Sequence, residues 1–138
     1  MKKTIMIMVM SLVLIMATVF ASAMYFSQEF EDLKIEHWAF GPIQEMLYKR
    51  DLVIDSNEFR PDDYITYGEL SQFVGCDTSG HDANGEVLRG YAAYAIYTQH
   101  NMMDFNAENN DVMKDGRMYE PATRAEVAQM LVRIIPEK

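Results

Sequence analysis

The chain has 138 residues, about half of them hydrophobic, with 21 acidic against 12 basic side chains and a formal charge of −9. That balance argues against nonspecific nucleic-acid binding, which needs a dense positive surface, and the length allows one compact domain or two small repeats. Cys76 is alone, so neither an internal disulfide nor a dithiol redox pair is available; it is a small buried or loop residue or an intermolecular crosslink site.

Lys2 and Lys3 precede a mainly apolar run from Ile5 to Phe20, and Ala21-Ser22-Ala23 follows as a small-residue cleavage signal. Residues 1–23 therefore read as a secretory signal peptide. The alternative is an uncleaved anchor, since a run of this length spans a thinned bilayer. Cleavage removes two lysines and no acid, leaving a still more acidic mature chain with no stable membrane span.

Beyond a short leader, Phe30-Glu31-Asp32-Leu33 leads into a segment from Glu36 to Arg50, where Trp38, Ile43, Met46 and Leu47 share one broad helical stripe. Pro42 suits a first turn, which places the regular helix start near Phe40 or Gly41. Leu52-Val53-Ile54 is a short apolar stretch, and Asn57 to Asp63 is turn chemistry.

Thr66 and Glu69 then stand three apart, directly before an apolar-periodic run through Leu70, Phe73 and Val74. A Thr hydroxyl accepts from the third helical amide while the Glu carboxylate accepts from the Thr amide, which is a capping box. The polar stretch 76–85 (CDTSGHDANG) reads as a surface loop linking two units. A second unit opens with a helix from about Glu86 to Gln99, and Met102-Met103-Asp104 echoes Val53-Ile54-Asp55. After a longer acidic loop, Pro121 to Ile135 holds a second capping box at Thr123 and Glu126, with Val127, Met130, Leu131 and Ile134 on one face. The expected fold class is mainly α. Residues 24–75 and 86–138 each form a unit of helix, short extended piece, loop and capped helix, and neither unit buries its apolar faces alone.

Phe30-Glu31-Asp32-Leu33, His37-Trp38-Ala39, Phe59-Arg60-Pro61, Ile65-Thr66 with Glu69, and Ala122-Thr123-Arg124-Ala125-Glu126 together resemble the S-layer homology (SLH) family, over most of the chain from Phe30 to Ile135. The resemblance implies a secreted protein, associated with the cell wall or S-layer, that binds a secondary cell-wall polysaccharide noncovalently, in many cases one carrying pyruvyl ketals. It also implies no catalysis, no cofactor and no resident metal. In the family three repeats commonly form a helical prism with ligand in the grooves between them. Carried over by position, Arg124 is the carboxylate or ketal contact and Trp38 a sugar-stacking or groove-wall residue. The sequence departs from the pattern where Tyr67-Gly68 replaces Arg-Ala, where no His-Trp-Ala precedes the second unit, and in showing two repeats rather than three. A second copy of the chain or another SLH-bearing protein is then an expected partner, and a structural self-association module without glycan binding is the rival function.

Read without the family, Arg124 is a cation in a first helical turn, where free amides and the helix dipole favour anions. It either faces solvent, pairs with an acid such as Glu120, or joins the helix end in binding a carboxylate. Trp38 by itself reads as core, and Tyr91, Tyr94 and Tyr97 as a helix interface or a sugar-binding wall. Lys49, Arg50, Arg60 and Arg89 read as solvated charges. No H-E-x-x-H, C-x-x-C, G-x-S-x-G or phosphate-binding glycine loop is present. Ser79, His81 and Asp82 are neighbours, but a catalytic triad arises from spatial convergence. Asn106 to Gly116 is rich in oxygen ligands without EF-hand spacing.

Overall fold

Three short segments that are far apart in sequence close a ring of backbone hydrogen bonds, and the helices radiate from it. Ile65 N donates to Ala122 O (2.9 Å), Ala122 N to Val87 O (2.8 Å), and Val87 N to Ile65 O (3.0 Å). Isolated antiparallel bridges flank each link, Tyr64 with Thr123, Thr66 with Glu86, and Leu88 with Pro121. Ile65, Val87 and Ala122 are wholly buried, so the three ring residues face the core together.

The computed structural model describes residues 28–100 and 115–135. The signal-peptide stretch 1–23, the Met102-Met103-Asp104 echo and most of the acidic loop lie outside the described residues. Within them the chain is mainly helical, with α1 (Phe40–Arg50), α2 (Tyr67–Val74), α3 (Arg89–Gln99) and α4 (Arg124–Ile134). No helix among the described residues is long and apolar enough to cross a membrane.

Each helix has a local cause. α2 and α4 start at the expected capping boxes: Thr66 Oγ accepts from Glu69 N, Thr123 Oγ accepts from Glu126 N, and both carboxylates accept from the Thr amides in return. α1 has no side-chain cap and starts where a turn through His37 and Ala39 ends, with Lys49 and Arg50 at its negative end. α3 starts at Arg89 rather than near Glu86, because residues 86–88 are held extended in the ring. α2 stops at Gly75 (φ 79°), and Arg50 of α1 satisfies its last carbonyls by donating from Nε to Phe73 O (3.1 Å) and from Nη2 to Val74 O (2.8 Å). Arg50 is therefore an interhelical clamp rather than a solvated charge. Lys49 likewise pairs with Glu45 (2.8 Å) and donates to Ile135 O (3.3 Å).

The core gathers Ile43, Met46 and Leu47 of α1, Leu70 and Phe73 of α2, Ala92 and Ile96 of α3, and Val127 and Leu131 of α4. α4 packs against both α1 and α3, and α3 against α2. Trp38 is not part of this stripe. It precedes α1, is 54% exposed, and stacks on His37 (ring centroids 5.7 Å apart).

The ring imposes threefold order on the sequence. Arg124 N and Ala125 N donate to Asp63 O and Pro61 O, Arg89 N and Gly90 N to Glu120 O and Met118 O, and Tyr67 N and Gly68 N to Gly85 O and Ala83 O. Each helix start thus lies on the loop that precedes another helix start. Residues 81–91, expected as linker and helix entry, take the same place as 59–69 and 116–126. A Cβ on Gly90 would stand 3.0 Å from Met118 O, so a residue without one suits this close approach.

Candidate functional site

The threefold order creates three corners, each joining the first residue of one helix (Arg124, Arg89 or Tyr67) to the third residue of another (Glu69, Glu126 or Tyr91).

At the first corner, Arg124 is 3% exposed and ion-paired to Glu69. Its Nε donates to Phe59 O (2.6 Å), and its guanidinium carbon lies 5.0 and 4.9 Å from the Phe59 and Phe73 ring centroids. Burial pushes its pKa down, and the Glu69 charge opposes that shift. These partners offset the first-turn cation, and they correct the expectation of a solvated side chain or a Glu120 pair. Arg60 reaches the same Oε1 of Glu69 and also meets Asp63 (3.6 Å). It is one of two non-glycine residues with positive φ among those described (56°), and Asp32 holds that turn by accepting from Phe59 N (2.8 Å) and Arg60 N (2.6 Å). A side chain in the left-handed region marks stored strain of the kind that gathers at binding sites. Beside this cluster opens a pocket of about 390 Å³, lined by Arg60, Glu69, Gln72, Phe73, Arg124 and residues of the 53–58 stretch.

The second corner repeats the plan. Arg89 of α3, buried like Arg124, is ion-paired to Glu126, and Arg117 reaches the same Glu126 oxygen (3.2 Å). Arg60 and Arg117 each stand nine residues before the glutamate they hold. Here Arg117 also meets Glu120 (3.7 Å), and Asp115 adds a third carboxylate: its Oδ2 accepts from Arg89 Nη2 (2.8 Å) and Arg117 Nε (3.0 Å), while Oδ1 accepts from Arg117 N (3.1 Å). The Arg117 amide and guanidinium hold the Asp115 carboxyl below its ordinary pKa, and Asp115 in turn raises that of Arg117.

The third corner is aromatic. His81 stacks flat on Tyr67 (4.1 Å, 1°), and Tyr91 meets both rings edge-on at 5.0 and 5.2 Å. The packing raises the Tyr91 pKa, chiefly through burial. Tyr91 thus belongs to a corner, whereas Tyr94 is exposed on α3.

The structure places Arg124 at the pocket and leaves Trp38 away from its lining, so the two expected contacts do not meet there. Thr66, Glu69, Thr123 and Glu126 cap their helices as expected, and the two glutamates also hold the arginines. Arg60 and Arg89 were read from sequence as solvated charges, whereas Arg89 is buried and both are ion-paired to capping glutamates, and Asp115 and Arg117 were given no role there. Their available signal was the nine-residue Arg-to-Glu spacing and the Arg89-Gly90 pair at a helix start. His81 and Asp82 have separate partners, the Tyr67 ring and Asn84 N, so no relay joins them to Ser79. Cys76 is half-buried, and burial raises its thiol pKa. Among the described residues no three His, Cys, Asp or Glu side chains are grouped to hold a metal ion. The corners and ring define a small, mainly helical fold with two charged corners, one of which adjoins a pocket. Comparison with protein-family models, curated proteins and solved structures finds no match for this chain.

Proposed function

We propose that the protein is an exported, non-enzymatic binding module of the SLH type that holds an acidic secondary cell-wall polysaccharide at the first corner. The observation that supports this reading is the pocket with two guanidiniums on its wall, one fixed and one half-exposed. Arg124 is the fixed wall, locked by Glu69 and Phe59. Arg60 is the contact that turns to a ligand carboxylate or ketal, because its ion pairs are exposed and exchange at small cost. Gln72, Ser56 and the acids Asp55 and Glu58 supply hydrogen-bonding groups for sugar hydroxyls. Trp38, exposed on its turn, is a second stacking surface for a polymer that extends beyond the pocket.

Sedimentation with purified cell walls tests the proposal. Wild type is expected in the wall pellet, and in the supernatant once the secondary polymer is chemically removed. Arg60→Gly, folded but missing the guanidinium, is expected to stay in the supernatant. Equal sedimentation of Arg60→Gly and wild type, or retention on stripped walls, refutes the site. Retention on stripped walls points instead to the rival function, pairing with a wall protein or a second copy.

A further inference from the structure

We propose that the Arg89–Arg117 corner is a second carboxylate-binding site, and that the chain's own Asp115 fills its ligand position. The two charged corners share a plan: a buried arginine from a helix start, a half-exposed arginine from a loop, and a capping glutamate between them. They differ in what lies across the two guanidiniums. At the second corner the Asp115 carboxylate bridges Arg89 Nη2 and Arg117 Nε, the geometry in which paired arginines take a carboxylate. At the first corner the residue at the equivalent position, eight before the cap threonine, is Glu58. Glu58 lines the pocket, and its carboxylate bonds to neither arginine. The position that Asp115 fills in one corner is open in the other.

A second observation points the same way. Arg89 has a side chain 5% exposed, yet its Nε has no hydrogen-bond partner among the described residues, while its Nη1 is ion-paired to Glu126. The corresponding Nε of Arg124 is satisfied by Phe59 O. A buried guanidinium with an unmatched donor is costly, and an oxyanion with more freedom to adjust than a tethered Asp satisfies it better. The corner thus has the donors of a site for a small carboxylate or a carboxylated sugar. In the native chain an intramolecular carboxylate of high effective concentration occupies it. One corner is open to a ligand and the other is held by the chain itself.

This inference rests on the reading of the first corner as a carboxylate site, and the experiment separates the two. Asp115→Ser removes the carboxylate while its hydroxyl can keep the turn to the Arg117 amide. Acetate, the free counterpart of the lost group, is the probe, with sodium chloride at equal ionic strength as control. The variant is expected to melt below wild type, to recover several degrees in a saturable, acetate-specific manner, and to show acetate-dependent shifts of the Arg117 Nε–H. Adding Arg117→Gln is expected to abolish both responses, and wild type is expected to show neither at this corner. Asp115→Ala is carried in parallel; should neither variant fold in chloride, refolding yield carries the test. Acetate-dependent recovery supports the site, and equal recovery in acetate and chloride overturns it. A folded variant whose melting and Arg117 signals do not distinguish acetate from chloride also overturns it. In the same titration the Arg60 Nε–H reports the first corner: its silence in wild type sinks the proposed function and leaves the Arg117 result to decide this one.

Discussion

Arg124, the first residue of α4, is ion-paired to Glu69, which closes the capping box of α2, so one carboxylate ties two helices. Glu69→Gln separates these duties. The amide oxygen still accepts from Thr66 N, but the buried Arg124 loses its counterion. Removing one partner of a buried pair costs about 3–5 kcal/mol. A loss near the lower end, about 3 kcal/mol, is expected in urea denaturation, because Arg124 keeps its carbonyl and aromatic partners. A loss within the range of an ordinary exposed ion pair would show that the pair does not carry this weight.

Arg60 and Arg124 are predicted to separate binding from stability. Arg60→Gly removes two exposed ion pairs worth about 0–1 kcal/mol each. It also relieves a left-handed residue (φ 56°), a gain of about 1–2 kcal/mol partly offset by glycine's larger entropy loss. Net stability is expected within about 1 kcal/mol of wild type, while wall retention is lost. Arg124→Ala leaves Glu69 with one arginine partner and a void between Phe59 and Phe73, so melting should fall first and binding with it. The two variants are read side by side by thermal melting and wall sedimentation.

What was legible in the sequence was local. Thr66 with Glu69, and Thr123 with Glu126, act within one helical turn, so spacing alone exposed both caps and with them α2 and α4. The pairing of Arg124 with Glu69 joins residues 55 positions apart and needs the ring at Ile65, Val87 and Ala122 to exist first. The third helix start was hidden because Leu88 and Tyr91 stand where the other two carry Thr and Glu. Trp38 was read onto a helical stripe because its phase fits, but the helix begins at Phe40, after the turn through His37. Lys49 and Arg50 looked solvated because the carbonyls they satisfy belong to distant segments.

His100, after α3, should make stability pH-dependent near neutrality. Its Nε2 is buried without a hydrogen-bond partner among the described residues, and burial, then the Arg50 charge, lower its pKa. A folded-state pKa below the unfolded value of about 6.5 means that the unfolded chain takes up the proton first. The contribution is therefore complete above about pH 6.5 and is lost as pH falls from there toward the folded pKa. The urea midpoint of wild type should drop between neutral and mildly acidic pH. His100→Gln should flatten that part of the profile, and parallel profiles for the two proteins would assign the drop to other groups.

The threefold order makes a prediction at Leu88. This residue is the N-cap of α3 with φ −72° and ψ 145°, close to Thr66 (−93°, 163°) and Thr123 (−80°, 159°), but it offers no acceptor to the Tyr91 amide. Leu88→Thr should supply the missing cap. Leu88→Val is the control, because it has the same shape as Thr and loses the same apolar contact without gaining an acceptor. The side chain is exposed enough that a hydroxyl there is not buried at a cost. Thr is expected to exceed Val by about 0.5–1 kcal/mol in urea denaturation, the usual value of an N-cap hydroxyl. Equal stabilities would mean that the α3 start matches the other two in backbone path but not in cap geometry.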